Sequence, residues 1–349
     1  MRKGVSYFGN RYINHFQNDL EEMKAHGCNA IIHTFSENDL LFYSGTLAEM
    51  VELSHKAGFQ VYIGSWGVGG IFGGEAFSQF VMKNPAACQV RLDGKPTPAA
   101  CMNNPAFRDF MKTWIDAAVS LGGDYIFWDE PHFHFPEEVR AEVLDEKKQL
   151  DTQKLSSLLA AGEIPWTCYC DVCRRLYREK FGQEMPEALD ESIVLFREET
   201  ILNFLAEMLA YSGEKGQKNA VCLLPTENPL IAGVTKWEKV AGLAGLDMIA
   251  TDPYWFVWGQ KVEEFVPYFT HKVLALGEEF HLETQVWVQA FSVPAGREEE
   301  VRKAVELIAG LGVKNIAAWS YRAASPMSAI KSANPSLVWR ILGETYRKL

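Results

Sequence analysis

The chain has 349 residues, of which 48% are hydrophobic and 23% charged, and its formal net charge is −11. This composition is typical of a soluble globular protein. The acid excess, without a long run of Lys or Arg, argues against nucleic acid or an anionic membrane surface as a partner. Because neither a signal-peptide h-region nor an apolar stretch of transmembrane length is present, we expect a cytoplasmic protein.

The seven cysteines are odd in number, and three of them lie in one hexapeptide. This is not the pattern of a secreted disulfide framework, so reduced thiols are expected. Nothing in the composition distinguishes a monomer from a homo-oligomer.

Apolar strand-like runs alternate with amphipathic helical segments along the chain. Five helical segments end in Gly and lead into an apolar run, as in KAHGCNAIIHTF and SLGGDYIFWDE, because Gly readily adopts the left-handed conformation that ends a helix. Helical spacing of apolar residues marks 18–26, 47–57, 106–121, 262–276 and 298–309. The predicted strands are 4–9, 28–36, 60–66, 124–130, 219–226, 246–253, 279–287 and 314–321.

Eight alternating strand–helix units predict an α/β fold, a parallel (β/α)8 barrel formed as a single domain by residues 1–349. A doubly wound sheet is the rival, but the first strand–helix turn lacks its glycine cluster. Long insertions follow strand three (67–104) and strand four (131–217), and the second carries the cysteine cluster. In a barrel such insertions gather at the C-terminal mouth, where active sites are built.

Polar and aromatic residues follow the apolar bodies of the predicted strands. Aromatic rings stack on sugar faces, and carboxylates and amides bind hydroxyls, so this pattern favours a sugar-binding mouth. His33 and Trp319 could instead belong to the core. The predicted substrate-binding residues are His33, Trp66, Asp129, His132, Asp252, Tyr254, Gln285, Trp287, Trp319 and Arg322.

Two glutamates are the candidate catalytic residues. Glu130 lies at the end of the apolar run 125–128, where an acid beside Asp129 is costly unless it is used. On strand seven, the alternation of apolar Leu282 and Val286 predicts that Glu283 faces the barrel axis. Two carboxyls across a sugar can hydrolyse a glycosidic bond, one as acid and one as nucleophile.

A glutamate at the end of strand four with another on strand seven resembles the clan A glycoside hydrolases, whose retaining members use them as acid/base and nucleophile. The resemblance implies an O-glycosyl hydrolase that acts by double displacement on an oligosaccharide or glycoside. In the clan the acid is usually the Glu of an Asn-Glu dipeptide, whereas this chain has Asp129-Glu130. This departure affects how a substrate 2-hydroxyl is held, because an ionised Asp cannot donate a hydrogen bond.

The segment Cys168-Tyr-Cys170-Asp-Val-Cys173 is similar to the C-x-C-x-x-C segment after strand four in family 42 β-galactosidases. That family binds a structural zinc there with a fourth, upstream cysteine, and Cys101 stands in the corresponding place. The resemblance implies a zinc ion held by Cys101, Cys168, Cys170 and Cys173, and no organic cofactor. From the residues alone, free thiols and Cys88 as the fourth ligand remain alternatives.

Two other functions compete with a glycosidase. One is a carbohydrate-binding barrel without catalysis. The other is a metal-dependent hydrolase that uses Asp129, His132 and His134, although this spacing has no strong precedent as a metal site. The glycine-rich segment 67–74 lacks the Lys and Ser/Thr of a phosphate-binding loop, and we expect it to be a mobile rim over the pocket.

Overall fold

The computed structural model describes residues 1–134, 157–158, 165–325 and 328–349. Eight parallel strands form a closed barrel, in which each strand pairs with the strands before and after it along the chain and the last pairs with the first. The predicted (β/α)8 barrel is therefore confirmed. The strands are β1 (Arg2–Tyr7), β2 (Ala30–Thr34), β3 (Gln60–Gly64), β4 (Tyr125–Asp129), β5 (Lys218–Leu223), β6 (Met248–Thr251), β7 (Glu283–Gln289) and β8 (Asn315–Trp319).

Helices surround the barrel and cover the outward side chains of the strands. Each of the five predicted helical segments overlaps an observed helix. No described helix is long and apolar enough to span a bilayer. The described helices are Ile13–Ala25, Glu37–Phe42, Ser44–Lys56, Gln79–Lys83, Pro105–Ser120, Asp171–Phe181, Glu191–Gly213, Pro229–Ala232, Trp237–Ala241, Val262–Phe280, Glu299–Gly310 and Pro335–Tyr346.

The segment between β3 and the helix Pro105–Ser120 has structure of its own. It contains the short helix Gln79–Lys83 and an antiparallel pair of strands, Cys88–Val90 and Pro96–Ala100. Part of the other predicted insertion, 131–217, lies outside the described residues. Its described C-terminal part supplies the helices Asp171–Phe181 and Glu191–Gly213 before β5.

The barrel interior is filled by large side chains from some strands and small ones from others. Tyr62, Tyr125 and Trp287 are nearly fully buried there. Facing strands contribute Gly4, Ala30, Ala220, Ala250 and Ala317. This alternation of sizes leaves a packed core rather than a pore.

The boundary of β7 differs from the sequence prediction. The preceding helix continues through Phe280, and His281 ends it in the left-handed conformation with φ 57°. The strand then runs from Glu283 to Gln289 instead of 279–287. The inward parity of Glu283, Gln285 and Trp287 was right, because Tyr125 contacts Glu283 and Trp287 packs in the inner core. Their predicted position along the barrel axis was wrong, however, because Glu283 is the first residue of the strand.

Candidate functional site

Glu130 lies where β4 ends at the mouth of the barrel. Its backbone N–H donates to the carbonyl of Cys222 on β5 at 3.1 Å, and its φ is 47°. A residue with a Cβ pays roughly 1–2 kcal/mol for this left-handed conformation. Such backbone strain persists only where the surroundings impose it, and it is commonest at functional sites. Glu130 and Asp129 both keep partial exposure to solvent.

Asp252, which follows β6, completes a cluster of three carboxyl groups with Asp129 and Glu130. The carboxyls of Glu130 and Asp252 share a hydrogen bond. Burial raises the pKa of all three groups, and the neighbouring negative charges raise the pKa of Asp129 and Asp252 further. Two carboxyls can share a hydrogen bond only if one of them is protonated. The cluster therefore holds a proton at a pH where an ordinary carboxyl has lost it.

The glycine-rich segment 67–74 covers this cluster. A Cβ at Gly73 would lie 2.8 Å from Asp129 Oδ2 and 2.9 Å from Glu130 Oε2, so a side chain there would collide with both carboxyls. The Gly73 N–H donates to the Asp129 carbonyl at 2.9 Å. Val68, Ile71 and Phe72 in this segment are buried. The segment therefore lies against the site as the predicted rim, and its mobility stays a prediction.

Aromatic rings form a wall at the mouth. Trp319 stacks on Phe8 with ring centroids 5.3 Å apart, and Phe8 also contacts Trp66 at 5.6 Å. Trp287 contacts Phe127, two residues before Asp129, at 5.3 Å. Trp66 adjoins the carboxyl cluster, because a Cβ at Gly74 would overlap the Trp66 indole while one at Gly73 would meet the carboxyls. The predicted Trp66, Trp287 and Trp319 thus lie together.

Several buried polar atoms in this region have no hydrogen-bond partner within the described part of the chain. Buried polar groups are nearly always paired, so such a concentration points to water or a ligand as the partner. The atoms belong to mouth residues and to the inward-facing Ser6, and they are Asp252 Oδ1, Trp66 Nε1, Trp287 Nε1, Ser6 Oγ and Ser320 Oγ.

Glu283 lies at the opposite end of the barrel, and the predicted convergence with Glu130 is wrong. Its Oε1 accepts a hydrogen bond from the Tyr125 hydroxyl at 2.7 Å, and its Oε2 pairs with Arg2. Tyr125 and Glu283 are the first residues of β4 and β7, and Arg2 is the first of β1. Glu283 also lines a cavity of about 530 Å³ at this base. The sequence prediction placed Glu283 wrongly along the barrel axis, because the preceding helix extends further than predicted and β7 starts four residues later.

The side chains of three other predicted binding residues are engaged with helices or with the barrel core. His33 faces the helices, with Nε2 3.0 Å from the Ser54 hydroxyl, and burial lowers its pKa to about 3. The core alternative for His33 was therefore right. Gln285 is fully buried inside the barrel and donates to Asn315 at 3.1 Å. Arg322 turns to the first helix, where it pairs with Glu22.

Tyr254 is at the mouth as predicted, partly exposed, with its ring 5.0 Å from that of Phe291. His132 stays close to the site through its Nδ1, which is 2.5 Å from the Glu130 carbonyl. The predicted alternative metal site of Asp129, His132 and His134 is not formed, because the one group of metal-ligating side chains that converges among the described residues consists of cysteines.

That group is Cys101, Cys168, Cys170 and Cys173, as predicted. All four are buried, and their sulfur atoms lie within 4.8 Å of one another. The Cys101 sulfur is 3.5 Å from that of Cys173 and 3.6 Å from that of Cys170. Cys88 is excluded as the fourth member, since its thiol lies against the carbonyls of Val81 and Asn84. The cluster could hold a metal ion, which would tie the segment before Pro105 to the one after β4.

Sequence reasoning missed Gly73, Glu75 and Gln289. Glu75 adds a negative charge that raises the pKa of Asp129, and it follows the glycine-rich segment directly. Gln289 ends β7 and would have been recognised if the strand had been placed correctly. Gly73 could have been suspected from the density of glycines in 67–74, but its contact with the carboxyls depends on the folded chain.

No family model matches this chain, and no curated protein matches it. Solved structures do resemble it. An endo-1,4-β-mannanase from Rhizomucor miehei aligns with a TM-score of 0.61 at 11% identity, over 100% of this chain and 95% of the other. An endo-β-1,4-mannanase from Thermotoga petrophila gives 0.57 at 10%, over 99% and 76%. The glycoside hydrolase domain of PgaB from Bordetella bronchiseptica gives 0.57 at 13%, over 93% and 96%. At these identities the likeness shows the fold.

Replacing Glu283 by Gln is expected to lower stability at neutral pH by about 1 kcal/mol, a modest value because Glu283 and Arg2 are both about a third exposed. Burial acts to raise the pKa of Glu283, but hydrogen bonds from Tyr125 and Arg2 outweigh it, so the pKa is lowered. Its stabilisation is therefore present above the unfolded pKa and is lost as pH falls through the folded value. Thermal unfolding from pH 3 to 7 should show the gap between variant and parent closing in acid. A constant gap would contradict this, and Glu279→Gln on the adjoining helix surface is the control.

Proposed function

We propose that this protein is a glycoside hydrolase whose site is the carboxyl cluster at the barrel mouth. The observation that carries the proposal is the hydrogen bond between Glu130 and Asp252 in a place where burial raises both pKa values. A carboxyl that stays protonated near neutral pH is what a general acid requires in order to protonate a glycosidic oxygen.

Glu130 is the residue that we assign as the acid. It keeps partial exposure at the mouth, whereas Asp252 is buried behind it with 3% of its surface exposed. Asp252 then serves as a proton-sharing neighbour, so that the two carboxyls titrate as one pair. Water is partly excluded by the segment 67–74, which strengthens the interaction between the acid and the leaving oxygen.

The substrate that we propose is an oligosaccharide or glycoside. The wall of Trp66, Trp287, Trp319 and Phe8 offers faces for sugar rings. The unpartnered acceptor of Asp252 and the indole N–H groups suit hydroxyls. The likeness to barrels described as mannanases and as a glycoside hydrolase domain agrees with this. A cytoplasmic location stays a prediction from the sequence, which does not distinguish a monomer from a homo-oligomer.

We further propose that the cysteine cluster holds a structural zinc ion. Tetrahedral zinc with Zn–S bonds of about 2.3 Å places its sulfur ligands about 3.8 Å apart, close to the observed contacts of 3.5 and 3.6 Å. Four thiolates leave no open position, so the ion would staple two loops and take no part in hydrolysis. No organic cofactor is proposed.

Glu130→Gln should lower kcat/KM about 10²–10⁴-fold for glycosides with poor leaving groups, because their bridging oxygen needs a proton. Dinitrophenyl glycosides, whose leaving group needs none, should lose far less. Steady-state kinetics on both classes would measure the difference. Glu227→Gln is a matched control, because Glu227 follows β5 but binds Tyr268 and Lys272 on the outside. Equal losses on both classes would remove Glu130 from the acid role. Sugar binding without turnover of any glycoside would favour the non-catalytic barrel.

Asp252→Asn should move the alkaline limb of the pH–rate profile to lower pH. The substitution leaves one titrating carboxyl in place of the pair, and the new amide can donate to the Glu130 carboxylate, so the last proton should be lost at a lower pH than from the pair. The variant should also be more stable than the parent. A carboxyl with a raised folded pKa loses stability as pH rises from its unfolded value, so the gain should grow between about pH 4 and 7. An unchanged limb would contradict the proton-sharing role.

Purified protein should contain about one zinc ion per chain by elemental analysis. Cys173→Ser should lose the metal and unfold at a lower temperature, because one ligand of a closed site is gone. Cys88→Ser, whose hydroxyl can keep the contacts of Cys88 to Val81 and Asn84, should retain both metal and stability. Full thermal stability in metal-free protein would overturn the zinc assignment.

A further inference from the structure

Strand β7 brings an amide to the mouth, at the place where a second catalytic carboxylate was expected. Gln289 is fully buried and both ends of its side chain are engaged. Its Oε1 accepts from the Phe256 backbone N–H at 2.9 Å, and its Nε2 donates to the Phe291 carbonyl at 3.1 Å. Ala290 follows. The one glutamate of this strand is at the base of the barrel, so β7 supplies no nucleophile.

The two aspartates next to Glu130 lie too close to it to act across a sugar. Retaining glycosidases that use two carboxyls separate them by about 5–5.5 Å, and inverting ones by about 6.5–9.5 Å. Asp252 is in hydrogen-bond contact with Glu130. Asp129 Oδ2 and Glu130 Oε2 lie against the same face of Gly73. Neither Asp129 nor Asp252 is therefore separated from Glu130 by the width of a sugar ring, so neither is placed to attack C1 as the second carboxyl of such a pair.

We infer that the substrate supplies the nucleophile itself, as the carbonyl oxygen of a 2-acetamido group, so that the enzyme acts on 2-acetamido-2-deoxyglycosides. This inference rests on the proposed glycoside hydrolase function. An acetamido group combines an apolar methyl with a polar N–H and C=O. The mouth offers both environments side by side: the indole of Trp66 adjoins the carboxyls of Asp129 and Glu130 through the adjacent Gly73 and Gly74.

The reaction balances without a co-reactant other than water. The acetamido oxygen forms a bond to C1 as the C1–O bond to the leaving group breaks, and Glu130 gives its proton to the departing oxygen. The product is a cyclic oxazolinium ion, whose N–H donates to Asp129, which is partly exposed and adjacent to Glu130. Water then attacks C1 and returns a proton to Glu130. The oxazolinium ring opens, the acetamido group is restored and the configuration at C1 is retained.

Paired aryl glycosides that differ only at C2, with 2-acetamido or 2-hydroxyl, test the inference with the full chain. The sugar and anomer series should include gluco, galacto and manno forms in both configurations. We expect kcat/KM to favour the 2-acetamido member by about 10²-fold or more, because an intramolecular nucleophile has a large effective molarity. Successive fluorination of the acetyl group should lower kcat stepwise, since fluorine withdraws electrons from the attacking oxygen. NMR of the first product should show retained configuration.

Asp129→Asn tests the assigned partner of the acetamido group. The variant should lose kcat with little change in KM and should show a weaker dependence on fluorination, whereas Glu227→Gln should match the parent in both. Equal hydrolysis of the two C2 series, inverted product or no response to fluorination would overturn the inference while leaving the glycosidase proposal standing. Failure to hydrolyse any member of either series would overturn the glycosidase proposal and this inference with it.

Discussion

The mouth of this barrel has to accommodate three carboxyl groups in one poorly hydrated place. Their mutual repulsion and lost hydration oppose folding, so every neighbouring feature has to accommodate them. Glycine at position 73 allows close approach of the backbone, the backbone of Glu130 takes a strained conformation, and Asp252 shares a proton with it. This combination agrees with the general acid that we propose.

Charged groups are paired at the base of the barrel, whereas like charges lie together at its mouth. At the base, Glu283 is neutralised by Arg2 and bonded by Tyr125, and Gln285, Asn315 and Tyr62 continue the hydrogen-bonded chain above it. At the mouth, the acids face one another, and several polar atoms lack partners among the described residues. The charged groups at the base are thus paired internally, as expected for the stabilising face of such a barrel, although Gln285 Oε1 lacks a partner among the described residues.

The fold was predictable from the sequence because hydrophobic periodicity and glycine caps report local structure directly. All eight strands and five helices were located within a few residues. The inward parity of β7 was also predictable, since it depends only on alternation. Its axial position was not, because Phe280 reads equally well as the end of a helix or the start of a strand. A shift of four residues preserves parity and yet moves Glu283 from one end of the barrel to the other. The cysteine cluster was predictable from spacing and resemblance, but the contact of Asp252 with Glu130 joins β4 to β6 and appears only after folding.

The volumes of the side chains inside the barrel limit which strands can be exchanged with those of another barrel. Tyr62, Tyr125 and Trp287 fit because small residues on other strands leave room beside them, namely Gly4, Ala30, Ala220, Ala250 and Ala317. A chimaera that took its first two strands and its last from another barrel would import bulk into space already taken. Grafting and half-barrel recombination should therefore succeed best when strands with complementary interior volumes are exchanged together.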